Sequence, residues 1–292
     1  MTALPAERSG FAASADLLAR RAGLDAAVAV GMWSTDPAPT EVWIGGIRCL
    51  RFSPRTRPWG TVVHLHGGAF RIGRPEQLGP FAAALALRCH VEVICPAYRL
   101  APEHPFPAGL CDAWSVVRAL AGSGPLLVSG DSAGGGLAAG VAALTGLASI
   151  DLVGLALLSP WLDLSVTAAS YAENAAHDPL FSADAARTAA ALYLQGHPPA
   201  DPLASPLYGP VASYPPTFLN VGSREVLVDD TQHLHDRLHQ AGVPVQLRRI
   251  EGMDHVAVTR GLTLSGSAET LAQLGQFVDQ VMPRLDAVSG SQ

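Results

Sequence analysis

Short runs of apolar, mainly β-branched residues recur along the chain at 61–66, 91–97, 125–130, 152–160, 216–222 and 243–250. Most are hydrophobic almost without interruption. That pattern predicts strands buried on both faces, as in a mostly parallel sheet covered by helices. Residues 41–52, with Gly45 and Gly46 at their centre, predict a hairpin feeding the sheet edge. Between the strands, "PFAAALALRCH", "LCDAWSVVRALAG", "GGGLAAGVAALTGLA" and "LVDDTQHLHDRLHQAG" carry helical spacing. In the last of these, Leu227, Thr231, Leu234, Leu238 and Ala241 form one stripe, so a helix begins near Leu227. The chain therefore belongs to the α/β class.

Two stretches break the alternation. Residues 1 to about 40 are helical with a proline-rich exit, and residues 165 to about 212 combine the helix "ADAARTAAALYLQG" with proline-rich loops. An insertion of that length between strands commonly forms a lid or a substrate wall. The C-terminal "LSGSAETLAQLGQFVDQVMPRLDAVSGSQ" predicts an amphipathic helix followed by a frayed polar tail. The 292 residues, 49% hydrophobic and 15% charged, are enough for one large core in a single domain.

A net charge of −6 and the lack of any basic run argue against nucleic acid or an anionic membrane as partner. Cys49, Cys89, Cys95 and Cys111 have no metal-type spacing, and three lie in apolar segments, so free thiols in a reducing compartment are expected. The N-terminus lacks the basic and apolar regions of a signal peptide. No run approaches about 18 uninterrupted apolar residues, so no membrane span is expected, and the expectation is a cytoplasmic protein.

"VSGDSAGG" sets Ser132 in G-x-S-x-G between a predicted strand and a predicted helix. Flanking glycines permit the sharp turn that lifts a hydroxyl clear of a sheet, and the next N–H is left free at a helix start. Alone the motif is weak; a glycine turn with a capping serine is the bland reading. In "HLHGGAFRIG", Gly67 and Gly68 follow a strand and offer backbone donors without a Cβ, and Ala133 would supply a third. Such an oxyanion hole is usually a leading contribution, with one donor worth about 3–4 kcal/mol. A plain glycine turn is the alternative. His66 reads as a buttress of this loop and His64 as a satisfied core group.

His255, in "EGMDHVAV", lies just past the last predicted strand and is the best placed base. His235 and His239 stand at metal-ligand spacing on a helix, but helix histidines near Asp and Arg are usually a solvated face, and no metal or cofactor is expected. His90, His104, His177 and His197 read as structural or surface groups. Four carboxylates compete to orient the base. Glu225 sits in a strand-to-helix loop at the carboxyl edge of the sheet, where ligand crevices form. Asp229 and Asp230 fall in the first helical turn, where the helix dipole alone explains them. Asp163 of "SPWLDLS" follows an earlier strand and stays a further alternative to Glu225 and Asp229. The order Ser132, Glu225, His255 is that of an α/β-hydrolase.

"HGGAF", "YRLAPEHPFPA", "GDSAGGG", "SPWLDLS", "DPLASPLYG" and "EGMDH" together resemble the hormone-sensitive-lipase-like esterases, mostly bacterial α/β-hydrolases of family IV acting on short acyl esters. The resemblance runs from about Glu41 to beyond His255, with the first forty residues fitting only as part of a helical cap. It implies Ser132 as nucleophile, His255 as base, Glu225 where the family usually has Asp, and oxyanion donors at Gly67, Gly68 and Ala133. It also implies a small-molecule ester substrate and allows a homodimer. Ala69 replaces a third glycine. Ala97 replaces an Asp, with no compensating residue apparent. Trp33, Phe181 and Tyr193 read as pocket walls or as core packing. An amidase or deacetylase would share the apparatus, and a ligand-binding homologue with a dead site is the rival from another class.

Overall fold

A computed structural model describes residues 4–282 of the chain. Among them, strands β1 (Thr40–Ile44), β2 (Ile47–Phe52), β3 (Thr61–Leu65), β4 (Glu92–Pro96), β5 (Leu126–Asp131), β6 (Gly154–Leu158), β7 (Thr217–Gly222) and β8 (Val245–Ile250) form one sheet. Their spatial order is β1-β2-β4-β3-β5-β6-β7-β8. The hairpin β1–β2 and the pair β2–β4 are antiparallel, and all later neighbours are parallel. Central strands such as β5 are buried along their whole length, which is why their hydrophobicity does not alternate. The edge strand β8 differs: Arg248 and Arg249 face solvent, and Pro244 just before it, with no N–H to give, joins β7 only through its carbonyl, which accepts the Thr217 N–H at 2.8 Å.

Successive side chains of each strand enter different cores. Val63, Leu65, Val128 and Leu155 pack on one face, with helices α3 (Ala108–Leu120), α4 (Ala133–Ala148) and α7 (Val228–Gln240). Val62, Leu127, Ala156 and Phe218 pack on the other, with α2 (Gly79–Cys89) and α9 (Ser267–Val281). The expected C-terminal helix is therefore α9, and the polar tail lies outside the described residues. Cys49, Cys89 and Cys95 are buried free thiols and Cys111 is half-buried. Desolvation pushes Cys49 up to about 11 and Cys89 up to about 12, which leaves both as inert thiols.

Parts of the two exceptional stretches reach the carboxyl end of β5: Arg20, Leu24 and Trp33 of the first, and Leu180, Phe181 and Ala185 of the second, line one cavity with Ser132. Helix α1 (Ala15–Ala29) starts at Ser14, whose Oγ accepts the N–H of Leu17, and buries only Leu17. Arg21 clamps it down: Nε donates to the Arg71 carbonyl at 2.9 Å, and the guanidinium meets Glu103 at 2.6 Å and the Ala101 carbonyl at 2.8 Å. The later insertion holds a short helix α5 (Ser170–Glu173) and α6 (Ala183–Leu194). Among the described residues, no helix is long and apolar enough to cross a membrane.

Candidate active site

β5 ends at Asp131 and α4 starts at Ala133, so Ser132 alone makes the turn. It does so at φ 52°, ψ −121°, a backbone region that L-residues avoid and that costs about 1–3 kcal/mol. The surroundings hold it there. Ser132 N–H donates to the Leu158 carbonyl at 2.9 Å, and the Ser132 carbonyl accepts the N–H of Trp161 at 3.0 Å. A Cβ on Gly134 would collide with the Leu65 carbonyl, so glycine is what lets α4 lie this close to β3. The sixteen-residue helix α4 then directs its positive end at the serine hydroxyl.

His255 follows β8 at the same edge, and Glu225 lies between β7 and α7. His255 Nε2 is 3.0 Å from Ser132 Oγ, and His255 Nδ1 is 2.6 Å from Glu225 Oε2. All three residues are buried, Glu225 almost completely. The second carboxylate oxygen, Oε1, accepts from Ser159 Oγ at 2.7 Å and from Gly222 N–H at 2.6 Å. Burial works against the imidazolium of His255. The bond to Glu225 and the charge of that carboxylate outweigh it, and the ring titrates above its ordinary value. A hydroxyl, a ring nitrogen and a fixed carboxylate in line can take a proton from the hydroxyl and stabilise the resulting cation.

The Gly67–Gly68 loop forms the facing wall of the cavity. Among the described residues, no acceptor is bonded to the N–H of Gly67, Gly68 or Ala133. His66 Nδ1–H donates to the Gly67 carbonyl at 2.7 Å, and the ring stacks on Tyr98 with centroids 4.2 Å apart. Its burial lowers the His66 pKa to about 4, so the ring is a neutral brace for the loop. Gly68, at φ 119°, makes the turn, and Arg71 and Ile72 N–H both return to its carbonyl at 3.1 Å. His64 lies in the core between Ser129 Oγ at 3.0 Å and Asp131 Oδ1 at 3.1 Å. Near Ala97, the Arg99 guanidinium is held from elsewhere, by Asp112 at 2.7 Å and Glu7 at 2.6 Å.

The competing carboxylates do not meet His255, but they are more than a helix-start decoration. Asp163 accepts from Ser165 N–H at 2.7 Å and Thr167 Oγ1 at 2.8 Å. Asp229 Oδ2 accepts the Ser170 N–H at 2.8 Å. Asp230 is fully buried and Oδ2 accepts the N–H groups of Leu162 and Asp163 at 2.8 and 3.0 Å. The expectation that the dipole alone explains Asp229 and Asp230 is thus corrected: both tie α7 to the chain after β6 and to the insertion, a contact invisible to local spacing. His235 and His239 have ring centroids 6.2 Å apart, and His235 Nδ1 bonds Asp236 at 2.9 Å.

Ser132, His255, Gly67 and Gly68 open on a cavity of about 510 Å³. Trp33 and Phe181 line it, Phe181 lying parallel to His255 at 5.9 Å. Tyr193 is instead buried core, stacked on Phe70 at 3.9 Å. Three supports of Glu225 escaped the reading of the sequence. Ser159 is one. Asn174 Nδ2 donates to the Glu225 carbonyl at 2.8 Å, and Asp178 Oδ2 accepts the Val226 N–H at 3.0 Å. The only sequence signal of Asn174 and Asp178 was the polar "ENAAHDP" inside the insertion, and Ser159 heads the "SPWLDLS" stretch.

Residues 62–259 match the profile of the alpha/beta hydrolase fold family. An esterase of Acinetobacter venetianus is 34% identical over 240 residues, covering 80% of this chain and 79% of that one. An acetyl-hydrolase of Streptomyces hygroscopicus is 38% identical over 227 residues, covering 75% of each. Among solved structures, a hormone-sensitive-lipase homologue from a metagenome library, EstE7, superposes with a TM-score of 0.85 at 28% identity, covering 90% of this chain and 92% of that one.

Proposed function

The chain belongs to the α/β-hydrolase-fold family, within its hormone-sensitive-lipase-like carboxylesterases, and from that premise we propose that it hydrolyses short to medium acyl esters through Ser132, His255 and Glu225. Ser132 Oγ attacks the ester carbonyl while His255 Nε2 takes its proton. The tetrahedral oxyanion is received by the N–H groups of Gly67, Gly68 and Ala133. On collapse, His255 returns the proton to the leaving alcohol. Water, deprotonated by the same ring, then attacks the acyl-serine, and as its C–O bond to Ser132 breaks the ring returns the proton to Ser132 Oγ and the acid leaves. Glu225 keeps the Nδ1–H tautomer and offsets the charge of the imidazolium.

The observation that carries this reading is the continuous line from Glu225 Oε2 through His255 to Ser132 Oγ, at 2.6 and 3.0 Å. The unbonded amides of the glycine loop support the oxyanion assignment. We further propose that residues 1–40 and 165–212 act as the cap, a reading supported by Trp33 and Phe181 on the cavity wall. Hydrolysis of 4-nitrophenyl butyrate tests the scheme. Ser132→Ala should lower kcat by several orders of magnitude and abolish labelling by an organophosphonate. Comparable rates in the two proteins would end the proposal.

A further inference from the structure

The cavity over Ser132 is lined by three arginines, Arg20, Arg71 and Arg260, and by one carboxylate, Asp131. Asp131 lies buried beneath the loop, bonded to His64 at 3.1 Å. A basic lining is unexpected in a chain whose net charge is −6. Other arginines around the same loop are matched: Arg21 with Glu103, Arg48 with Glu41 and Glu76, Arg74 with Glu76 and Asp25. Among the described residues, Arg20, Arg71 and Arg260 form no ion pair. Arg260 reaches only the carbonyl of His255, at 3.4 Å.

Arg71 is the most telling of the three. It is half-buried, and its Nε is shut off from solvent without a hydrogen-bond partner among the described residues. Burial and the adjacent charge of Arg20 both hold its guanidinium below the usual pKa, although arginine stays charged at any physiological pH. The fold enforces this juxtaposition. The loop carbonyl of Arg71 accepts from Arg21 Nε, so the residue before Arg21 is brought to the cavity that Arg71 lines. Desolvated donors with no acceptor and two like charges together are unfavourable until an anion joins them.

We propose that Arg71 and Arg20, with Arg260 next to His255 on the same cavity, form an anion subsite beside the nucleophile, so that the ester hydrolysed carries a carboxylate or a comparable anionic group. This rests on the ester-hydrolase reading of Ser132 and narrows its substrate class. A guanidinium fork fits a carboxylate through two parallel N–H···O bonds, which fixes the direction in which an ester enters as well as its affinity.

Matched ester pairs test it. One pair places the charge on the acyl side: the 4-nitrophenyl monoester of glutaric acid against 4-nitrophenyl hexanoate. The other places it on the alcohol side: 4-acetoxybenzoate against 4-acetoxybenzamide. The readout is the ratio of kcat/KM, charged over neutral, in wild type, Arg71→Gln and Arg20→Gln, so that intrinsic ester reactivity cancels. In at least one pair the ratio should fall about tenfold or more in Arg71→Gln, chiefly through KM, and less in Arg20→Gln. The wild-type ratio should also shrink with added salt, more for the exposed Arg20 contribution than for Arg71. The pair that responds identifies the side bearing the charge. Arg20 lies on the exposed face of α1, so the Arg20→Gln ratios decide the matter even if Arg71→Gln does not fold. Ratios unchanged by both substitutions in both pairs would overturn the subsite while leaving the esterase reading intact. A wild type inert to all four esters, with Ser132 unlabelled, would remove both.

Discussion

Opposing influences meet at the ring of His255. Burial disfavours its cation, and Glu225, bonded to Nδ1 at 2.6 Å, favours it more strongly. In the proposed scheme His255 must be neutral to act as general base, so kcat/KM should be lost as pH falls through a value above the ordinary imidazole figure of about 6.5. Glu225→Gln removes the two largest raising influences and leaves burial opposed only by the weaker charges of Asp178 and Asp131. Its acid limb should therefore move to lower pH while kcat drops on the order of 10³ to 10⁴. Asp229→Asn, whose amide oxygen can still accept the Ser170 N–H, should keep the wild-type limb. A pH–rate profile of the three proteins decides it; a shifted limb in Asp229→Asn would name a different carboxylate. The sequence made Ser132 and His255 legible because each follows directly on a strand with a turn signature. Glu225 was legible only as the best of several acids, since Ser159, Asn174 and Asp178, which hold it and its loop, come from other segments.

Helix α7 shows how much an element's first turn can carry. Asp230 combines a favourable dipole position and two backbone donors with full burial, and burial prevails, pushing its pKa from 3.8 up to about 7. Among the described residues its Oδ1 has no partner. Between pH 3.8 and about 7 the folded chain keeps this proton and the unfolded chain releases it, so stability should fall as pH rises through that window. In Asp230→Asn the amide oxygen can accept from Leu162 and Asp163 in place of Oδ2, and no charge has to be buried. Thermal unfolding followed across that window should lose this component of its pH dependence. A melting curve that retains the full slope would show that the proton sits elsewhere. The start of α7 was readable from its stripe. The burial of Asp230 was not, because it depends on where the chain after β6 crosses.

At the scale of the molecule, the sheet delivers three loops to one rim and the insertion locks the acid's loop in place. Asp178 joins the two: Oδ2 takes the Val226 N–H, and Oδ1 takes those of Leu180 and Phe181, the latter against His255. Asp178→Ala should lower kcat about tenfold or more through a displaced Glu225, with KM changing less and the protein still folded by circular dichroism. Equal loss of kcat and stability with no altered pH profile would reduce Asp178 to a purely structural anchor. By itself the sequence determined the α/β alternation, the strand positions, the hairpin and the two glycine-flanked turns. These follow from burial periodicity and backbone freedom, which act over a few neighbouring residues. Only the tertiary structure decided which carboxylate meets His255, what holds it, and which arginines are left without a counter-ion over the cavity. Ser132 and His255 are 123 positions apart, and electrostatic partnership over such separations is set by how the chain crosses itself, which no local spacing records.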